Sequence, residues 1–121
     1  MIIKMKKQYE AINTKFPYMV HGADYNPEQW KSMPEIWDEG MKLMKQAEMN
    51  SATIGVFSWV NLEREEGVFN FDWLDNIIEK LTANGQSFIL ATPSGARPAW
   101  LTQKYPEVSR VEANRVRNFQ I

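Results

Sequence analysis

Three short apolar runs set the rhythm of the chain. They are centred near Val20, Ile54 and Ile89, 34 and 35 residues apart. The first is Phe16 to Val20, the second Ala52-Thr-Ile-Gly-Val-Phe57 and the third Ser87-Phe-Ile-Leu-Ala-Thr92. Neither of the last two alternates polar with apolar positions. That is the pattern of strands buried on both faces of a parallel sheet. The segments between them have helical periodicity. From Pro34 to Glu48 the expected buried stripe is Ile36, Gly40, Leu43, Met44 and Ala47, with Ser32 and Glu35 spaced as a capping box and Asn50 as the stop. In the second helix Asp72 is placed to cap, Leu74, Ile77, Ile78 and Leu81 form the stripe, and Gly85 stands just past the end. A short third helix is expected over Pro98 to Lys104, ending before Pro106.

The resulting order, β-α-β-α-β-α, predicts an α/β fold with parallel strands and right-handed crossovers. Segments following the strands are long and aromatic, Ser58 to Phe71 and Pro93 to Pro98. The returns Asn50-Ser51 and Asn84 to Gln86 are short. This asymmetry belongs to barrels and doubly wound sheets, which carry their sites at the strand C-terminal face. Residues 1–15 read as an exposed arm and 16–121 as the folded unit.

Composition narrows the chemistry. Fourteen Lys plus Arg oppose fifteen Asp plus Glu, so charge gives no reason to expect nucleic acid or an anionic membrane as partner. With no cysteine there is no disulfide or thiolate metal site, and a single histidine, His21, argues against a zinc cluster. Lys4, Lys6 and Lys7 are not followed by an apolar run of signal-peptide length, and no window has the ~20 apolar residues of a membrane span. A cytoplasmic protein is the expectation.

The loop His21-Gly-Ala-Asp-Tyr-Asn-Pro-Glu-Gln-Trp30 interleaves polar groups with flat aromatic faces. Carboxylates and amides hold sugar hydroxyls, and aromatic rings pack on the apolar face of a pyranose. The same residues serve equally well as a braced loop joining strand to helix. Glu28 is a candidate ligand contact or a brace. Phe57 is expected in the core and Trp59 facing a pocket. Glu63, Glu65 and Glu66 form a carboxylate set of the kind that could serve general acid and nucleophile roles in glycoside cleavage, but the run Glu63 to Glu66 reads rather as the solvated tip of a turn at Gly67. Arg97 offers a rigid cationic fork, while Ser94 lacks the neighbouring base a nucleophile needs. The GxGxxG spacing of a dinucleotide fold is missing after the first run, which disfavours a nucleotide or signalling domain.

Three segments together, His21 to Trp30, Thr53-Ile-Gly-Val-Phe-Ser-Trp59 and Ala91-Thr-Pro-Ser-Gly-Ala-Arg-Pro-Ala-Trp100, resemble the start of a glycoside hydrolase family 42 β-galactosidase. Leu62-Glu63, Glu66-Gly67, Phe71-Asp-Trp-Leu-Asp75 and Tyr105-Pro-Glu-Val108 agree in order, so the resemblance runs from about Phe16 to Arg117. It implies a TIM (β/α)8 barrel hydrolysing terminal β-galactosides with retention, without a cofactor, as a homotrimer. A full barrel takes ~250 residues, so these residues would supply the first three or so βα units of an incomplete barrel. The family's acid/base and nucleophile glutamates follow its fourth and seventh strands. No catalytic residue is therefore assigned here, and the 121 residues alone are expected to be inactive and prone to association along an open edge.

The family pattern would continue after Asn118 into a Gly-Gly-Arg-His-like segment, where this sequence reads Phe119-Gln-Ile121, as at a truncation or frame change. Thr53 stands where some relatives place a sugar-binding arginine, so that contact is not carried over. The expected substrate-binding residues are Asp24, Tyr25, Asn26, Glu28, Trp30, Trp59 and Arg97, and no metal ligand is assigned. The alternative is a non-catalytic galactoside-binding module.

Overall fold

A computed structural model describes residues 10–118. Most of the expected arm therefore lies outside the described residues. The fold is built on a parallel three-stranded sheet. Its strands are β1 (Gly22–Tyr25), β2 (Ser51–Ile54) and β5 (Ser87–Leu90), in the spatial order β1-β2-β5. Helices α1 (Glu35–Gln46) and α3 (Asp72–Ala83) make the two crossovers. Between β2 and α3 lie the single turn α2 (Trp59–Leu62) and a hairpin of β3 (Glu63–Glu65) and β4 (Val68–Phe69). After β5 come α4 (Ala99–Lys104), a 3-10 turn (Pro106–Val108) and a small hairpin of β6 (Arg110–Val111) and β7 (Arg117–Asn118).

The first strand departs from the expected one. Residues 16–20 carry the apolar run, yet the pairing begins at Gly22. Hydrogen bonding explains the shift. The Asn50 side chain accepts from the His21 N–H at 2.8 Å and donates to the Met19 carbonyl at 2.7 Å. The Asn50 and Ser51 N–H groups both donate to the His21 carbonyl. These bonds gather the chain ahead of the sheet, and Gly22 then enters a position where a Cβ would collide with the Ser51 carbonyl. Only glycine lets the two backbones approach so closely.

Parallel register gives the sheet two distinct faces. Tyr25, Ile54 and Leu90 lie side by side, as do Ala23, Ala52 and Phe88. Ala52 and Ile54 are buried under both helices in one cluster with Trp37, Met41, Met44, Leu62, Trp73, Leu74, Ile77 and Leu81, with Tyr25 packed against it. Strand side chains alternate, so Asp24, Thr53 and Ile89 form a row on the opposite face. Helices cover this face over β2, while Phe88 and Leu90 of the edge strand β5, expected to be buried on both faces, are exposed, and the opposite face is left for a barrel interior.

The helix stripes were legible to different degrees. In α3 the buried residues are Trp73, Leu74, Ile77 and Leu81, with Ile78 half-buried. Gly85 follows at φ +78°, where its lack of a Cβ avoids strain. In α1 the buried set is Trp37, Met41 and Met44, and Leu43 is 55% exposed. The stripe is rotated from the expected one because the Trp37 indole N–H donates to the Pro27 carbonyl at 2.9 Å and turns that face inward. Two expected caps are absent. Pro34 precedes α1 without a side-chain cap, and Asn70 Oδ1, rather than the Asp72 side chain, accepts the Asp72 N–H. Among the described residues no helix is long and apolar enough to cross a membrane.

Candidate functional site at the strand C-terminal ends

The loops following β1, β2 and β5 lie at one end of the sheet, the second and third joined by a backbone contact and the first to the second by a side chain. The Gly95 N–H donates to the Val56 carbonyl at 3.0 Å. A Cβ on Gly95 would come within 2.7 Å of that carbonyl and 2.9 Å of the Phe57 ring, so the third loop seats directly on the second. Phe57, expected in the core, is 45% exposed because it packs outward beneath Gly95.

The first loop is tied to the second by Lys31. Its ammonium donates to Asn61 Oδ1 at 3.5 Å and sits 5.4 Å from the Trp73 ring centroid, a cation–π contact. Trp73 donates its indole N–H to the Asn61 carbonyl at 3.3 Å. Three tryptophans are thereby accounted for structurally: Trp37 and Trp73 in the core, and Trp100, whose indole N–H reaches the Glu63 carbonyl at 3.2 Å.

The structure separates the expected site residues into two groups. Asp24 is exposed on the open face of the sheet, beside Thr53, and Trp30 is 38% exposed. Trp59 is half-buried and borders a cavity of about 370 Å³ with Leu90, Ala91, Thr92 and Pro93 of the third strand and loop. Each of the three has accessible surface, Asp24 on the open face and Trp59 beside a cavity that Leu90 lines from the helix side. Tyr25 points the other way, its hydroxyl 3.3 Å from where a Cβ on Gly40 of α1 would stand. The Tyr25 hydroxyl, Asn26 Oδ1 and both Glu28 carboxylate oxygens are buried without a hydrogen-bond partner. Burial pushes the Tyr25 hydroxyl up to about 12, and the charges of Asp38 and Glu28 add to the shift. The Arg97 guanidinium donates to the Val108 carbonyl and so clamps the turn after α4.

Glu63, weighed in the sequence as one of a carboxylate set and read as part of a solvated turn, is tied into the structure. Its Oε2 accepts the Trp59 indole N–H at 2.8 Å and its Oε1 the Gly67 N–H at 2.8 Å. Glu66 accepts from Lys104 and from the Tyr105 hydroxyl, the latter at 2.7 Å, which joins the hairpin to α4. Hydrogen bonds from Lys104 and then Tyr105 hold the Glu66 carboxyl below the usual carboxylate range. The hairpin turns at Gly67 with Glu65 and Glu66 exposed, as expected, but Glu63 is half-buried and both Glu63 and Glu66 also make hydrogen bonds that tie the hairpin to its neighbours. Their spacing carried a signal, since Trp59 and Glu63 stand at i and i+4. No cluster of His, Cys, Asp and Glu able to hold a metal occurs among the described residues.

Comparison with known proteins agrees with this geometry. The family model of glycoside hydrolase family 42, described as beta-galactosidase, matches residues 24–121. The beta-galactosidase Pbg of Clostridium perfringens is 56% identical over 112 residues, 93% of this chain and 16% of that protein. The beta-galactosidase GalA of Bacillus licheniformis is 60% identical over 99 residues, 82% of this chain and 15% of its own length. Among solved structures, the cold-adapted beta-galactosidase of Rahnella sp. R3 superimposes with a TM-score of 0.82 at 50% identity, covering 87% of this chain and 16% of that one. The chain thus spans about one sixth of the relatives it matches. With the sheet order, the helix-covered face and the three strand-end loops in agreement with these likenesses, the chain belongs to glycoside hydrolase family 42, the beta-galactosidase family, and forms the first βα units of its barrel.

Proposed function

We propose that these residues form one wall of the galactoside site in an enzyme that hydrolyses terminal β-D-galactosides with retention. The observation that carries this reading is the convergence of three strand-end loops beside an uncovered sheet face, in a chain 56% identical to a relative named as a beta-galactosidase. Asp24 would accept hydrogen bonds from sugar hydroxyls, and Trp59 and Trp30 would present ring faces to the pyranose. Arg97 would act behind them by clamping the turn after α4, and Tyr25, Asn26 and Glu28 would line the inner side of the first loop. Retention requires two carboxyl groups about 5–5.5 Å apart, one as acid/base and one as nucleophile. None of the described carboxylates is assigned to either role, so the chemistry belongs to other βα units. The 121 residues alone would then be inert.

A chimera tests this. Residues 16–118 replace the aligned segment of the Clostridium perfringens relative, and hydrolysis of nitrophenyl β-galactoside and β-glucoside is compared. Hydrolysis of the galactoside in preference to the glucoside, with none by the 121 residues alone, is expected. Loss of galactoside preference in a folded chimera, or turnover by the isolated chain, would contradict the reading. We also propose a homotrimer located in the cytoplasm for the complete enzyme. Analytical ultracentrifugation and cell fractionation test these two points.

A further inference from the structure

The cavity bordered by Trp59 lies at the edge of the helix-side core, where Leu62, Leu74 and Leu90 line it, and is closed by Glu63, Phe69, Phe71 and the third loop. An indole at the edge of such a space could adopt more than one rotamer unless its N–H were held. Glu63 holds it. The two residues stand one helical turn apart across α2, and the indole N–H meets Oε2 at 2.8 Å. The other carboxylate oxygen accepts from the Gly67 N–H at 2.8 Å, which fixes the carboxylate plane from the turn of the hairpin. The Glu63 carbonyl receives the Trp100 indole at 3.2 Å from α4. One residue thus connects the second loop, the hairpin and the helix that follows the third loop.

A brace for the hairpin alone would need only one carboxylate oxygen. The second oxygen is directed at the one tryptophan that borders both the second and third strand ends. A carboxylate pinned by a backbone donor is also a rigid acceptor, because its remaining lone pairs point in fixed directions.

We propose that Glu63 is a positioning residue that fixes the Trp59 ring plane at the wall of the galactoside site. This rests on the reading of Trp59 as sugar-facing. Glu63 itself touches no substrate. Its effect passes through the indole, so losing it misaligns the ring for binding and leaves the bond-breaking groups untouched.

The test is a double-mutant cycle in the chimera, with Glu63→Gln, Trp59→Phe, the double variant and Trp59→Ala. Glutamine keeps the shape but only one acceptor oxygen, so it can serve Gly67 or Trp59 but not both. Phenylalanine keeps a ring and removes the N–H. Each single variant is expected to raise KM about fivefold with kcat within about twofold, and the double variant to be no worse than either. The Trp59 indole N–H resonance should shift in Glu63→Gln. Glu66→Gln, in the same hairpin, should leave KM unchanged.

Multiplying effects of the two substitutions would show Glu63 bracing the hairpin independently of Trp59 and would overturn the proposal. So would an unaltered KM in Glu63→Met, which keeps the length and removes both acceptor oxygens, while Trp59→Ala is impaired, with the sugar-facing reading intact. Unchanged kcat/KM in Trp59→Ala would instead remove Trp59 from the site and the positioning role with it.

Discussion

Tyr25 gives the sharpest physical prediction about the first loop. A tyrosine offered to a sugar would be solvated and would titrate near its ordinary value of 10.0. The inward-facing Tyr25 is held neutral up to about 12. The sign follows from linkage. The folded state keeps its proton while the unfolded chain loses it above pH 10, so the stabilisation is fully present below pH 10 and disappears between about 10 and 12. A two-unit shift corresponds to about 2.7 kcal/mol at full effect. Tyr25 is only partly buried, so solvent screening reduces this to about 1 kcal/mol. Tyr25→Phe removes the titrating group. Because the hydroxyl has no partner, the substitution should also be neutral or stabilising at pH 7, by up to about 1 kcal/mol.

The assay follows tyrosinate absorbance on raising the pH, with Tyr25→Phe identifying the late-titrating group, and compares denaturant midpoints at pH 7 and pH 11. The variant should lose the late absorbance step and show a smaller fall in stability between the two pH values. Titration of Tyr25 near 10, or a loss of more than 1 kcal/mol at pH 7 in the variant, would refute the inward placement.

Other substitutions probe the close approaches. Gly22→Ala places a methyl group against the Ser51 carbonyl and should abolish folding of the sheet, read as loss of the far-ultraviolet circular dichroism signal. Gly95→Ala forces the third loop off the second and should cost about 2 kcal/mol in overpacking and a lost hydrogen bond, measured as a lower denaturant midpoint. Ile77→Ala empties a fully buried position and should cost about 3 kcal/mol in the same measurement. The Glu66–Lys104 link should persist at neutral pH. It should be lost in acid as the pH falls below the ordinary carboxylate value of 4.5 and through the lowered Glu66 value. It should be lost in base as the pH rises past the raised Lys104 value, which the Glu66 hydrogen bond sustains above 10.5. Exchange of the Lys104 and Tyr105 amide protons across this range reports the loosening.

The sequence made the α/β order legible because β2, α3 and β5 each carry a local signal: a β-branched run, a clean 3.6-residue stripe with a glycine stop, and a run bounded by polar residues. It misplaced β1 because the decisive interactions are long-range. Asn50 gathers the chain at Met19 and His21, and no local pattern encodes a side chain 29 residues away. The α1 stripe rotated for a similar reason, since Trp37 finds its acceptor at Pro27 in the preceding turn. At the candidate site, composition identified polar and aromatic residues but not their directions. Asp24 and Tyr25 are neighbours in sequence and lie on opposite faces of one strand, a distinction that strand register alone supplies. Glu66 is solvated, as charge runs usually are, but the bonds of Glu63 and Glu66 were not legible because their partners arrive from α2, from α4 and from the turn of the hairpin.

The most direct measurement of the central claim is a crystal structure of the chimera with galactose bound. The account predicts the sugar at the C-terminal ends of β1 and β2, with a hydroxyl within about 3 Å of an Asp24 carboxylate oxygen and a ring face against Trp59. Galactose bound without contact to any residue between 16 and 118 would contradict it.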